Sequence, residues 1–248
     1  MFNNQFLLPE IILVNTQLPE NFGAVARAML NFNFTNLRIV EPKFNLKNEK
    51  ILPVAAGADK IIKKTKLFGR YEDSIRDLNL VIATTNRIRS IKKPTITFEQ
   101  IVKKIKLKSS NKKIGIIFGP ENAGLDNDSI ALSDNVLRID SNPNFSSLNL
   151  SHAVIIVCYQ IMKNLLKKQK SKINKSIFNI DDIAKKNELI NFYSILNDEL
   201  DKSGFFLVKE KKRITMHKIK NIFGRAFLNS REIKTLIGII KSVGNPNK

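Results

Sequence analysis

Three short segments carry residue types that could do chemistry. In Asn21-Phe22-Gly23-Ala24-Val25-Ala26-Arg27-Ala28, Arg27 follows Gly23 by one helical turn, so on a helix the two share a face. A guanidinium beside a residue without a side chain can reach over it to an anion, although a solvated surface arginine leaves the same pattern. In Ile116-Ile117-Phe118-Gly119-Pro120-Glu121-Asn122-Ala123-Gly124-Leu125, an apolar run opens into a turn with two glycines and a proline, where backbone groups can approach a ligand. That loop lacks the Gly-Lys-Ser/Thr of a phosphate-binding loop and the glycine spacing of a dinucleotide site. Alone, it is most simply an ordinary turn, with Glu121 a structural hydrogen-bonding group. In Asn142-Pro143-Asn144-Phe145-Ser146-Ser147-Leu148-Asn149-Leu150-Ser151, polar side chains crowd the start of an apolar helix. Ser146 or Ser147 is a natural N-cap. One cap does not use Asn144, Ser146, Ser147 and Asn149 together around Phe145 and Leu148, both expected to be buried, and the excess suggests a binding surface.

Other reactive residue types offer less. His152 and His217 are single histidines on expected helices, which more often serve the surface or core than catalysis. Cys158 sits on the apolar face of a long helix as a small buried hydrophobe, and a single cysteine permits neither an intrachain disulfide nor a cysteine zinc cluster.

The elements that must position these segments are legible as alternating runs. Strand-like stretches fall at 11–14, 37–40, 80–83, 114–118 and 136–139, separated by helical patterns, which argues an α/β fold with a mostly parallel sheet. The last helix of this part should start near Ser147 and run toward Leu165 and Leu166. Residues 167–172 are basic and poor in apolar side chains, as a linker would be. The expected division is residues 1–169 as the main domain, 170–177 as a basic linker, and 178–248 as a small helical domain. Within the last, Gly204 should end one helix, and Asn229 with Glu232 should open another through a capping box.

Composition bounds the function. The chain has 42 Lys+Arg against 22 Asp+Glu, a net charge of +20. Such a surplus attracts polyanions and points to nucleic acid, although most of the basic residues are Lys in an Asn-rich chain, a pattern that codon bias also produces. No apolar run approaches the length needed to span a bilayer, and residues 1–10 do not resemble a secretory signal. A cytoplasmic protein without a membrane partner is expected.

Taken together, the three segments resemble, in order and spacing, the motifs of the SpoU/TrmH (SPOUT) superfamily of RNA ribose 2′-O-methyltransferases: N-x-x-G-x-x-x-R, then F-G-x-E-x-x-G-L, then S-S-L-N-x-x-x-A-V. The likeness covers nearly all of residues 9–165. A fourth segment, Ala83-Thr84-Thr85-Asn86-Arg87-Ile88-Arg89, is similar to a strand-end loop in which relatives carry Thr-Ser-Ala-Arg where this chain has Thr-Thr-Asn-Arg.

The resemblance implies a domain whose C-terminal part is tied in a trefoil knot that forms an S-adenosyl-L-methionine pocket. It assigns the cofactor to Thr84, Thr85, Asn86, Gly119, Ile139, Ser146, Ser147 and Leu148, and catalysis to Arg27, Ser147, Asn149 and Glu121. Arg27 would act on the ribose and its phosphate, Ser147 and Asn149 would orient the reactants, and Glu121 would brace its loop, with no metal involved. It further implies a homodimer with Arg27 acting across the interface. The C-terminal segment is similar to the extension of a branch that methylates nucleotide 32 of tRNA, while another tRNA or rRNA nucleotide, or RNA binding without catalysis, stands as the alternative. The basic residues between positions 209 and 225 would clamp the tRNA, and a chain cut near Gln169 would then keep its fold and cofactor binding while losing tRNA.

Overall fold

A computed structural model describes residues 6–86, 93–105, 112–170 and 183–244. The chain runs β1 (Glu10–Val14), α1 (Pro19–Asn31), β2 (Leu37–Val40), α2 (Ile51–Ala55), α3 (Asp59–Lys64), β3 (Lys66–Phe68), α4 (Tyr71–Ile75) and β4 (Leu80–Thr84). It continues through α5 (Phe98–Lys104), β5 (Ile114–Phe118), α6 (Asn127–Leu132), β6 (Asn135–Leu137), α7 (Leu150–Lys170), α8 (Lys186–Lys202), α9 (Lys212–Ala226) and α10 (Ser230–Gly244). The six strands form one sheet in the order β3-β2-β1-β5-β4-β6, and each pairing is parallel. Parallel strands covered on both faces read as continuous apolar runs, which is why Ile11–Val14 and Ile114–Phe118 were visible in the sequence.

Alternation along each strand divides the core in two. Ile11, Leu13, Ile82, Ile116 and Phe118 face a cluster with Val25 and Met29 of α1, Ile101 of α5, and Val154, Val157, Cys158 and Ile161 of α7. Ile12, Val14, Val81, Ala83 and Ile117 face the opposite way, onto Ile130 of α6, Phe192 and Tyr193 of α8, and Ile233 of α10. The C-terminal helices therefore cover one face of the sheet. Lys186 at the start of α8 forms a buried ion pair with Asp134, its backbone N–H donates to the Leu78 carbonyl at 2.9 Å, and Ala184 N–H donates to the Leu228 carbonyl at 2.9 Å. The expectation that a cut near Gln169 would leave the main domain intact meets this packing: Phe192, Tyr193 and Ile233, which share the second cluster with Ile12, Val14, Val81 and Ile117, lie beyond the cut.

Several boundaries also differ from the sequence reading. β3 was missed because it is a three-residue edge strand with two exposed positions and no apolar run. The strand expected at 136–139 is Asn135–Leu137. Helix α7 begins at Leu150 and not near Ser147, since its cap is Asn149, whose side-chain oxygen accepts the Ser151 N–H at 2.9 Å. At its far end α7 continues to Lys170, so 167–170 form its last turn; the rest of the expected linker lies outside the described residues, as do Arg87 and Arg89. The caps read from sequence are present: Gly204 takes φ +72° after α8, Asn229 N–H donates to Glu232 at 2.8 Å, and Glu232 N–H donates to Asn229 at 2.9 Å.

Candidate active site

Because the strands are parallel, the loops after β1, β4, β5 and β6 gather at one end of the sheet, the usual ligand end of an open α/β fold. Here they enclose a pocket lined by Thr84, Thr85 and Asn86 after β4, by Gly119, Pro120, Glu121 and Gly124 after β5, and by Ile139, Ser146, Ser147 and Leu148 before α7. Phe118, Leu150 and Ala153 add apolar surface. All eight residues expected to contact a cofactor thus line one cavity.

The β5 loop folds back tightly on itself. Gly124 N–H donates to the Pro120 carbonyl at 2.8 Å, and Gly124 has φ +65°, a conformation glycine adopts without a Cβ penalty. Gly119 lies so close to the returning chain that a Cβ there would stand 2.2 Å from the Leu125 nitrogen. Only glycine fits. Thr84 Oγ1 donates to the Ile117 carbonyl at 2.8 Å, tying the β4 end to β5. Asn86 spans the other wall: its Nδ2 donates to the Ile139 carbonyl at 2.9 Å and to Ser141 Oγ at 3.1 Å, while its Oδ1 accepts the Ile139 N–H at 3.3 Å. The amide so placed joins two loops.

A chain of hydrogen bonds connects all three sequence segments. Glu121 Oε2 accepts the Gln17 N–H at 3.0 Å, and its Oε1 accepts from Asn21 Nδ2 at 2.6 Å. Asn21 Oδ1 in turn accepts from Asn149 Nδ2 at 3.0 Å. Both Glu121 oxygens are engaged, so its geometry is that of a brace between the β1, β5 and α7 connections. Asn149 is doubly used, as the α7 cap and as the donor to Asn21. Gly23 permits the close packing of α1, since a Cβ there would lie 2.3 Å from the Ile51 carbonyl oxygen.

Arg27 is placed apart from these groups: it is exposed on α1 and is not in the pocket lining. Asn149 also stays outside the lining, while Glu121 and Ser147 are part of it. Phe145, expected to be buried, is 78% exposed at the pocket rim segment, because it precedes α7 instead of packing under it. Sequence reasoning missed Gln17, Asn21 and Ser141 as bracing groups. For Asn21 the signal was its place at the head of the first motif; Gln17 acts through its backbone, which no side-chain pattern reveals. His152 is exposed, and His217 is largely buried and bonded to Asp128. Cys158 is fully buried, which pushes its thiol well above the ordinary range. Among the described residues, no group of three or more His, Cys, Asp or Glu is arranged to hold a metal ion.

The family model of the SpoU rRNA methylases matches residues 9–159, which include all these site residues. The chain belongs to the SpoU methylase family. Beyond the SpoU methylase region, the model of the C-terminal domain of the tRNA methyltransferase TrmJ matches residues 187–248. The chain is 32% identical over 238 residues to the tRNA (cytidine-2′-O-)-methyltransferase TrmJ of Methanocaldococcus jannaschii, covering 95% of this chain and 99% of that one. It is 30% identical to the tRNA (cytidine/uridine-2′-O-)-methyltransferase TrmJ of Citrobacter koseri, covering 96% and 97%. The crystal structure of TrmJ from Z. mobilis ZM4 superposes with a TM-score of 0.83 at 34% identity, over 96% of this chain and 99% of that chain. The SpoU methyltransferase AviRb from Streptomyces viridochromogenes, solved with AdoMet, shares the fold at 14% identity and a TM-score of 0.52, over 66% of this chain and 62% of that chain.

Proposed function

We propose that this SpoU methylase transfers a methyl group from S-adenosyl-L-methionine to a ribose 2′-hydroxyl of tRNA, at nucleotide 32 of the anticodon loop, and that it works as a cytoplasmic homodimer. The observation that carries the reading is the single pocket that unites all eight cofactor positions with the Glu121–Asn21–Asn149 chain. The pocket suits the cofactor: apolar Phe118, Ile139, Leu148 and Leu150 offer surface to a purine, the glycine loop leaves backbone groups within reach, and Glu121 places a carboxylate near a cationic ligand. Thr84, Thr85, Asn86, Gly119, Ile139, Ser146, Ser147 and Leu148 would hold it, with the knotted threading of these loops that the resemblance implies.

When bound, the cofactor supplies a methyl group already activated by its sulfonium leaving group. What falls to the protein is placing a ribose oxygen in line with that methyl and disposing of one proton, and positioning can supply much of the acceleration. A guanidinium keeps its proton under physiological conditions and is a poor base. Arg27 therefore holds the phosphate beside the target ribose and stabilises the developing alkoxide, while the proton leaves through that phosphate or water. Ser147, on the pocket wall, orients the ribose. Asn149 acts through Asn21 and Glu121 to fix the loops.

Arg27 is outside the lining of its own pocket, and in the proposed dimer the Arg27 of the second subunit would face it. Exposed apolar Leu30 on α1 and Tyr159 and Leu166 on α7 lie on adjacent, mutually packed helices and supply surface for such a contact. The match of residues 187–248 to the TrmJ C-terminal domain supports tRNA as the substrate. No helix among the described residues is long and apolar enough to cross a membrane. The test is transfer of labelled methyl from the cofactor to purified tRNA and to ribosomal RNA: label in tRNA alone is expected, and label confined to ribosomal RNA, or bound cofactor without transfer to either, would refute the substrate assignment or the activity.

A further inference from the structure

We infer that the ring of Phe145 is a stacking platform for the base of the nucleotide that is methylated, and so a positioning residue for the transfer; the inference rests on the tRNA reading above. Exposed apolar side chains are common on protein surfaces, and exposure alone carries no function. Phe145 differs in degree and in place. Its 78% exposure exceeds that of two other exposed aromatics, Phe205 at 53% and Tyr159 at 45%, and the next two residues, Ser146 and Ser147, line the cofactor pocket.

The ring stands on a stiff support. Asn142-Pro143-Asn144-Phe145 forms a turn closed by the Phe145 N–H, which donates to the Asn142 carbonyl at 2.9 Å, and proline sits at the turn position whose φ it presets. The Asn142 side-chain oxygen accepts the Asn144 N–H at 3.0 Å and stiffens the turn further. Immediately after Phe145, the Ser146 carbonyl accepts long hydrogen bonds from Asn86 Nδ2 and from Ser141 Oγ, each 3.5 Å. An aromatic side chain with two rotatable bonds on such a base gives up little entropy when it meets a ligand.

Charge and chemistry name the occupant. From Asp140 to Asn149 the segment holds no lysine or arginine and a single acid, Asp140 itself, so its side chains carry no cation for a phosphate. An aromatic face without cations takes a nucleobase by stacking, as proteins take unpaired RNA. Which base follows from covalent reach: Ser147, two residues on, orients the acceptor ribose in the proposed reaction, and the base is joined to that ribose by one bond. Stacking leaves the hydrogen-bonding edge of the base unread. The platform therefore holds cytosine and uracil alike, and in holding the base it sets the rotation of the ribose and the line from its 2′-oxygen to the methyl group.

The test removes ring and base separately, in the full-length protein and in a full-length tRNA. Phe145→Ser should lower kcat/KM for methyl transfer to a tRNA transcript about tenfold, the size of one lost base–aromatic stack, with S-adenosyl-L-methionine binding and the dependence on salt unchanged. Phe145→Tyr, which keeps the ring face, should act as the original protein does. Phe145→Leu, which keeps apolar bulk without the face, should lose nearly as much as the serine variant. A tRNA with a base-free ribose at the methylated nucleotide should be methylated about tenfold more slowly by the original protein, and no more slowly still by Phe145→Ser, because both changes remove the same contact. Losses that multiply on that RNA would place Phe145 against some other group and overturn the proposal. So would a serine or leucine variant within twofold of the original, or a loss that follows dissociation into single subunits, which would make the turn a contact between copies. If the unaltered protein transfers methyl to no tRNA, the substrate reading fails; if it does so and ring and base act independently, only this proposal fails.

Discussion

Replacing Gly119 by alanine adds one methyl group at the tightest point of the β5 loop. The new Cβ would sit 2.2 Å from the Leu125 nitrogen and 2.4 Å from the Gly124 carbonyl carbon, whereas ordinary contact begins at 3.4 Å. The neighbours are backbone, so no side-chain rotation relieves the clash. The loop must retreat by 3.4 Å less 2.2 Å, about 1.2 Å, carrying with it Pro120, Glu121 and Gly124, all of which line the pocket. Restoring the binding shape would cost roughly 1–3 kcal/mol of overpacking strain, which corresponds to a cofactor affinity about 5- to 150-fold weaker. Titration calorimetry with S-adenosyl-L-methionine reads the affinity directly, and thermal denaturation of the same samples shows whether the fold survives. A variant that stays folded and binds the cofactor within twofold of the original would refute the role given to this glycine.

Arg27→Ala should separate chemistry from binding, lowering single-turnover methyl transfer by about 100-fold or more while cofactor affinity stays within a few fold; an unchanged rate would remove Arg27 from the mechanism. Mixing that variant with Gly119→Ala subunits should restore part of the activity through hybrid dimers, and no rescue after confirmed subunit exchange would count against shared sites. Asp134→Ala should destabilise the protein by roughly 3–5 kcal/mol, because it strands the buried Lys186 ammonium; urea denaturation checks this, and a loss below 1 kcal/mol (about a fivefold change in equilibrium) would mean the pair is not buried as described. Burial pushes the Asp77 carboxyl up, but hydrogen bonds and charges from Arg38 and Lys113 outweigh that and hold it well below the usual carboxylate range. Its contribution is therefore complete above the unfolded value near pH 4 and is lost as pH falls through the folded value, so Asp77→Asn should flatten the acid limb of stability against pH and leave that limb unchanged only if the network is absent in solution.

Buried strands and helix caps were legible in the sequence because their causes are local. A continuous apolar run such as Ile114–Phe118 and a pair such as Asn229 and Glu232 specify an element without reference to distant residues. The pocket residues were legible through the likeness of motifs, not through their individual chemistry. What escaped was long-range. Asn21 and Asn149 are 128 positions apart, and their hydrogen bond exists only because α1 and α7 pack on one face of the sheet. The second face was missed for a similar reason: α8, α9 and α10 show ordinary amphipathic patterns, and nothing local says that Phe192, Tyr193 and Ile233 cover Ile12 and Ile117. Basic residues of α9 looked free because their partners, Asp128 and Asp201, lie elsewhere in the chain.

The central claim is methylation of one ribose in tRNA. It is tested most directly by incubating the full-length protein with S-adenosyl-L-methionine and a tRNA transcript, digesting the product with nucleases, and locating the added methyl group by mass spectrometry. A single 2′-O-methyl group at nucleotide 32 is expected, and no methyl transfer when that nucleotide carries a 2′-deoxyribose. A methyl group on a base, or on a ribose at another position with nucleotide 32 untouched, would contradict it.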